Sequence, residues 1–132
     1  MKNYLESLLL AALAVFYPIK TVLMAVLALI FADLFFGLAA AKKRGEAITS
    51  KGLKRSVVKI MVYELAIASG YLVHTYLTGD LIPADKLIAS LIGITELKSV
   101  LESLQEIYGE PFFSVVIKKI VSDETQGLEK KD

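Results

Sequence analysis

Apolar residues dominate two stretches of this chain that are long enough to cross a lipid bilayer. Residues 21–41 contain Asp33 as their only charged side chain. Residues 57–78 are similarly apolar and carry Glu64 and His74. A membrane-spanning helix needs about 20 predominantly apolar residues, so each stretch predicts one spanning helix.

Two shorter apolar segments precede and follow these runs. Residues 8–17 are too few to span as a straight helix, so they lie at the membrane interface or span with the help of Tyr4 and Leu5. Pro18 then predicts a break or turn. Residues 87–94, with the apolar residues before them and the helix after them, predict a third crossing or a re-entrant hairpin.

The periodicity changes after Glu96. Apolar residues recur at three- and four-residue steps over 97–108, which predicts an amphipathic helix that ends at Gly109 and Pro111. The segment 110–132 reads as a short apolar and basic piece followed by a polar tail. The predicted fold is therefore all-α, a small multi-span helical membrane protein. Residues 1–109 form its membrane-embedded domain, with two long helices, one or two shorter apolar helices and the amphipathic helix.

A basic segment, KKRGEAITSKGLKRSVVK, joins the two long runs. Glu46 is its only acidic residue, and the positive-inside rule places such a segment on the cytoplasmic side. The connection TGDLIPADK lacks this bias and is expected outside, with Gly79 and Pro83 suited to a tight turn and a helix start. The basic residues of the predicted cytoplasmic loop are Lys42, Lys43, Arg44, Lys51, Lys54, Arg55 and Lys59.

Composition supports a membrane protein and excludes several other classes. The hydrophobic fraction of the 132 residues is 55% and the mean hydropathy is +0.59, both above the usual range of soluble domains. A net charge of +1 argues against nucleic-acid binding. One His and no Cys leave no basis for a His-rich or Cys-rich metal site, and no nucleotide-binding or catalytic motif is present. We expect no cofactor and no enzymatic activity.

Asp33 is the most informative single residue. On a helix it lies on one stripe with Ala25, Leu29, Gly37 and Ala41, which are spaced at successive steps of four residues. Small residues at this spacing allow helices to approach closely in lipid. The carboxylate either lines a pore or controls assembly, or it is a structural group bonded to a neighbouring helix or to the basic segment.

Glu64 and His74 are ten residues apart, about 15 Å along a helix, so they cannot form one acid–base pair. One interpretation is a proton relay through Asp33, Glu64 and His74. The favoured interpretation is that His74 reaches the interface and Glu64 makes one interhelical hydrogen bond.

The order of these features resembles the toxin secretion/phage lysis holin family. Asp33, Phe35, Phe36 and Gly37 match a step that ends one membrane helix in that family, and the Ser-Lys-Gly of the basic segment leads into the next. The later TELKSVLESLQEIYG, from Glu96 onwards, is similar to the family's Glu-hydrophobic-x-Ser-hydrophobic-Leu-Glu-Asn stretch, with Ser103 where Asn is frequent. The resemblance covers residues 32–109.

The resemblance implies a helical protein of the bacterial cytoplasmic membrane that self-associates and permeabilises that membrane. An endolysin, or in some bacterial relatives a toxin, is then released, without a need for direct contact. The implied partners are the lipid bilayer and further copies of the chain. The candidate pore or assembly residues are Asp33, Gly37, Ala41, Glu64, His74 and Glu96.

Three alternatives remain open at the level of sequence. A membrane anchor would hold a soluble partner through the amphipathic helix and the charged tail. A small channel or transporter subunit would use Asp33, Glu64 and His74 for ions or protons. A soluble helical bundle with a very apolar core is the third.

Overall fold

The computed structural model describes residues 1–109, 114–116, 118–119 and 122. Four long helices account for most of this part: α1 (Lys2–Phe16), α2 (Lys20–Lys43), α3 (Ser50–Leu72) and α4 (Ala84–Tyr108). The predicted all-α class is confirmed. Pro111 and most of the predicted apolar piece and polar tail of 110–132 lie outside the described residues.

The first helix begins earlier than the apolar run that predicted it. α1 starts at Lys2 and passes through a 3₁₀ turn, Tyr17–Ile19, directly into α2. Pro18 cannot donate a backbone hydrogen bond, which accounts for the change of helix type at this point. The break predicted at Pro18 is therefore a local one, and the helical path continues over Lys2–Lys43. α1 itself buries none of its residues.

Helices α2, α3 and α4 pack against one another as a three-helix bundle. The buried apolar residues Ile19, Val26, Ile30 and Ile67 form its core. α3 lies close to the start of α4 at Gly70, where an added Cβ would lie 3.0 Å from the backbone nitrogen of Asp85. Glycine at this position permits the close contact between the two helices.

The connection between α3 and α4 contains irregular helical turns. A π-helix, Val73–Thr78, follows α3 and is succeeded by a 3₁₀ turn, Gly79–Leu81. Gly79 has a φ of +54°, and α4 begins immediately after Pro83, as the sequence predicted.

α4 is one continuous helix of 25 residues, although the sequence predicted an apolar piece at 87–94 and a separate amphipathic helix at 97–108. The boundary at Glu96 was wrong, because Glu96 is buried on the inward face while Leu97, assigned to the apolar stripe, is 48% exposed. Gly109, with a φ of +70°, ends the helix as predicted.

The basic segment is mostly helical, which corrects its prediction as a loop. α2 continues to Lys43 and α3 begins at Ser50, so the connection comprises only residues 44–49. The basic residues Lys51, Lys54, Arg55 and Lys59 therefore belong to α3. Below, the side of the bundle where α2 ends and α3 begins is called the basic end.

Two helical stretches in the described part of the chain are long and apolar enough to cross a membrane, Lys2–Lys43 and Ser50–Leu81. Only 11% of the most apolar window of each is buried, unlike the core helix of a soluble protein. The path from Lys20 to Lys42 measures about 33 Å along a helix and matches a hydrocarbon core of about 30 Å. α2 alone is therefore sufficient for one crossing, and α1 extends beyond it.

Candidate functional site

Three charged side chains, one from each helix of the bundle, meet between the helices. The ammonium Nζ of Lys59 in α3 lies 2.9 Å from Oδ2 of Asp33 in α2 and 3.0 Å from Oε2 of Glu96 in α4. We call Asp33, Lys59 and Glu96 the charge triad. Its side chains are 16%, 25% and 1% exposed, respectively.

The triad lies far from both ends of the bundle. Asp33 is about 15 Å from Lys43 and about 20 Å from Lys20 along α2. An isolated charge at such a depth in a bilayer is costly, and removing one partner of a buried ion pair leaves the other uncompensated. Lys59 offsets this cost for two carboxylates at once and thereby links α2 to α4 through α3.

Polar side chains continue from the triad towards the basic end. On α4, Ser99 and Ser103 follow Glu96 at steps of three and four residues, so they share its face, and both are half-buried. On α3, the half-buried Ser56 precedes Lys59 by one turn. In the opposite direction the bundle is filled by apolar residues such as Ile30 and Ile67. Half-buried hydroxyl groups therefore lie between the triad and the basic end, whereas the apolar core lies beyond the triad.

A second cluster joins α2 to α4 at the basic end. The guanidinium of Arg44 donates to Glu46 at 2.9 Å and to Glu106 at 2.6 Å, and the ammonium of Lys43 donates to the backbone carbonyl of Ile107 at 2.6 Å. The hydrogen bonds to Glu46 and Glu106 raise the pKa of Arg44, and Arg44 in turn lowers the pKa of Glu46. Because these groups are exposed, their main effect is to align the helix ends.

A third pair lies at the opposite end of the bundle. The Nδ1 atom of His74, in the π-helix, lies 2.7 Å from Oδ1 of Asp85 in the first turn of α4. Asp85 is buried. This pair fixes the connection between α3 and α4 next to Gly70.

Glu64 differs from the other acidic groups inside the bundle because it has no partner in the described part of the chain. Within the described residues, its Oε1 is a buried side-chain oxygen without a hydrogen-bond partner. Such a group is costly in a single chain, since a buried polar atom ordinarily has a partner.

The structure brings together only part of the predicted set of site residues. Asp33 and Glu96 meet at Lys59, whereas Glu64 and His74 have separate surroundings, so no relay through Asp33, Glu64 and His74 is assembled. Asp33 contacts a basic residue, as its structural interpretation proposed. The interhelical hydrogen bond predicted for Glu64 is not found among the described residues. Ala41 is half-buried near the basic end. A Cβ at Gly37 would meet no described atom within 4 Å, so Gly37 faces open space in the single chain.

Sequence reasoning missed the role of Lys59, which it assigned to the cytoplasmic loop. Asp85 and Glu106, the acidic partners at the two ends, were also missed. The position of Lys59 could have indicated its role, because it lies inside the apolar run 57–78 and has the opposite charge to Asp33.

Comparison with known proteins gives one match. The sequence model described as "Bacteriophage holin family" matches residues 11–123, most of the chain and all of the bundle. No curated protein and no solved structure matches significantly.

Proposed function

Because the chain belongs to the bacteriophage holin family, we propose that it self-associates in the bacterial cytoplasmic membrane and permeabilises it. An endolysin or toxin made in the same cell then reaches the outside. That family consists of membrane-permeabilising proteins without enzymatic activity. The observation that carries the proposal for this chain is the charge triad: three paired ionic groups inside the bundle, with Asp33 and Lys59 on the two stretches that are long and apolar enough to cross a membrane.

The triad has two uses in this account. In the closed protein, Lys59 pairs with Asp33 and Glu96 and holds three helices together. When copies accumulate and the helices separate, the same charged groups favour contact with water over contact with lipid. They then line an aqueous lesion, together with the half-buried serines towards the basic end.

The proposed orientation follows from the distribution of charge. Lys42, Lys51, Lys54 and Arg55 lie at the basic end and face the cytoplasm by the positive-inside rule. α2 then crosses from the outer side of the membrane to the cytoplasmic side. α3 crosses back to the outer side, and α4 returns the chain to the cytoplasmic side.

The test is inducible expression in bacteria while membrane potential and viable count are followed, with and without a co-expressed endolysin that lacks an export signal. We expect a delayed and sudden loss of potential, with lysis only when the endolysin is present. Cells that stay polarised despite abundant membrane-inserted protein would contradict the proposal and favour a membrane anchor. A graded, pH-dependent leak would instead favour a channel subunit.

A further inference from the structure

Two surfaces of the bundle, a groove and a ridge, lie on different helices. An open apolar groove of about 460 Å³ runs between α2 and α4, and its wall contains the small residues Ala25, Ala89, Ser90 and Gly93. On α3, Met61, Leu65, Ala68 and Leu72 follow one another at steps of four, three and four residues, so they form one ridge. Met61 and Leu65 are 68% and 69% exposed, which identifies this ridge as the outer side of α3.

The two surfaces also lie at the same depth in the bundle. Lys59 pairs with Glu96 and Gly70 meets Asp85, so α3 and α4 are antiparallel and Glu64 lies within one residue of the level of Ser90. The pairing of Lys59 with Asp33 likewise places Ala68 within one residue of the level of Ala25. Copies inserted in the same orientation can therefore place the ridge of one against the groove of the next without vertical displacement.

The polar groups of the two surfaces are complementary as well. Glu64, on the flank of the ridge, is half-buried. One of its carboxylate oxygens is buried within the chain without a partner among the described residues, so the other oxygen is the one that a second copy can reach. The groove wall carries the hydroxyl of Ser90 at nearly the same level and the ammonium of Lys86 one turn above it. Both groups are hydrogen-bond donors, which is what an unsatisfied carboxylate oxygen requires.

From these observations we infer that the α3 ridge of one copy docks into the α2–α4 groove of a second copy, with Glu64 bonded to Ser90 or Lys86 of that copy. The contact is heterologous, because the ridge and the groove are different surfaces of each copy. Such contacts build open-ended rows unless a rotation closes them into a ring. Large side chains entering a row of small ones supply the close packing that drives helix association in lipid. The inference rests on the proposed self-association and assigns its surfaces.

Disulfide crosslinking can test this contact cleanly, because the natural chain contains no cysteine. The double variant Ala25→Cys/Ala68→Cys carries one thiol in the groove and one on the ridge, at the same depth. Its matched control, Ala68→Cys/Leu87→Cys, moves the first thiol to an exposed position of α4 outside the groove. Membranes containing each variant are oxidised with a copper catalyst and examined on non-reducing gels.

We expect the groove–ridge variant to give a ladder of dimers, trimers and higher multimers, and the control to remain mostly monomeric. Adding Glu64→Leu to the groove–ridge variant should reduce the multimers by about threefold to tenfold, the range expected for an interhelical hydrogen bond in a membrane. Glu64→Gln, which keeps an acceptor oxygen, should retain most of them.

Equal crosslinking in the two double variants, or dimers without higher multimers, would overturn the inference. Membrane potential is measured in the same cultures to separate this outcome from failure of the proposed function. Cells that depolarise without a ladder contradict the docking surfaces alone. A ladder in cells that stay polarised supports the docking surfaces and contradicts permeabilisation.

Discussion

Lys59 connects the three helices of the bundle through a single ammonium group. It is the cation that contacts both Asp33 and Glu96, and the latter is only 1% exposed. Its long apolar stem can lie among apolar neighbours while the ammonium reaches the carboxylates. The sequence alone did not show these contacts of Lys59. A lysine at the start of an apolar run, next to a basic segment, looks the same in the sequence whether its ammonium faces water or a buried carboxylate.

Replacing Lys59 alone should therefore destabilise the protein strongly. We expect Lys59→Met to lower the free energy of unfolding by about 3–5 kcal/mol, because it leaves two carboxylates without their cation. The measurement is unfolding by sodium dodecyl sulfate in mixed micelles, followed by circular dichroism. The control is the neutral triple variant Asp33→Asn/Lys59→Met/Glu96→Gln, which should recover most of the loss. A Lys59→Met protein as stable as the natural one would show that the triad is not a structural link.

Because of the exposed Glu46, the stability of the folded protein should depend weakly on pH in the acidic range. Arg44 lowers the pKa of Glu46 below its ordinary 4.5 in the folded protein. The stabilisation is therefore fully present above about pH 4.5 and is lost as the pH falls through the lowered pKa. Thermal unfolding in detergent micelles at about pH 6 and about pH 3 should show a smaller acid-induced loss for Glu46→Gln than for the natural protein. An identical loss would contradict the role of this contact.

At the scale of elements, Gly70 is the one among the glycines of the described helices that is packed tightly against another helix, whereas Gly37, on the stripe of small residues around Asp33, faces open space. A Cβ at Gly70 would lie 2.8 Å from Cδ1 of Ile88 and 3.0 Å from the backbone nitrogen of Asp85. The side-chain atom can move, but the backbone nitrogen belongs to the first turn of α4. Helix packing at this point is consequently sensitive to one methyl group.

The two glycines Gly70 and Gly37 form a matched pair for testing this contact. Gly70→Ala should lower the free energy of unfolding by about 1–3 kcal/mol through overpacking. Gly37→Ala, at an open position in a helix, should raise it by up to about 1 kcal/mol in the isolated chain, since alanine favours a helix over glycine. Both are measured by the same micellar unfolding experiment. A stabilised Gly70→Ala variant would contradict the close packing of α3 against α4.

Sequence patterns predicted the elements better than the site. Apolar runs identified α2 and α3, and the glycines 79 and 109 located the turn before α4 and its end, because these signals are local. The continuity of α4 was missed, since Glu96 interrupts the apolar pattern and only the distant Lys59 explains its burial. The path through Pro18 was likewise unexpected, because a 3₁₀ turn accommodates the missing donor without ending the helical stretch.

At the scale of the whole molecule, α1 stands apart from the bundle. None of its residues is buried by the rest of the chain, although most of them are apolar. Its last residue, Phe16, contacts Tyr71 with ring centroids 6.2 Å apart. Fifteen residues measure about 22 Å, less than a hydrocarbon core. An apolar surface of this kind is stable only when lipid or another copy covers it.

If lipid or another copy covers α1, cysteines introduced along it should differ in their rate of chemical labelling. A membrane-impermeant maleimide should label Leu9→Cys more slowly than Lys2→Cys in intact membrane vesicles, because residue 9 would then lie in apolar surroundings. The introduced thiols are the only ones in each variant. Equal and rapid labelling of both would show that α1 is exposed to water.

In the proposed function, charges that are paired inside one bundle enable an assembly of bundles to admit water. The most direct measurement is the time course of membrane potential in cells that express either the natural protein or the neutral triple variant, matched for the amount inserted in the membrane. We predict sudden depolarisation by the natural protein, and delayed or absent depolarisation by the triple variant despite its stable fold. Depolarisation with the same timing in both would contradict a role for the charge triad in permeabilisation.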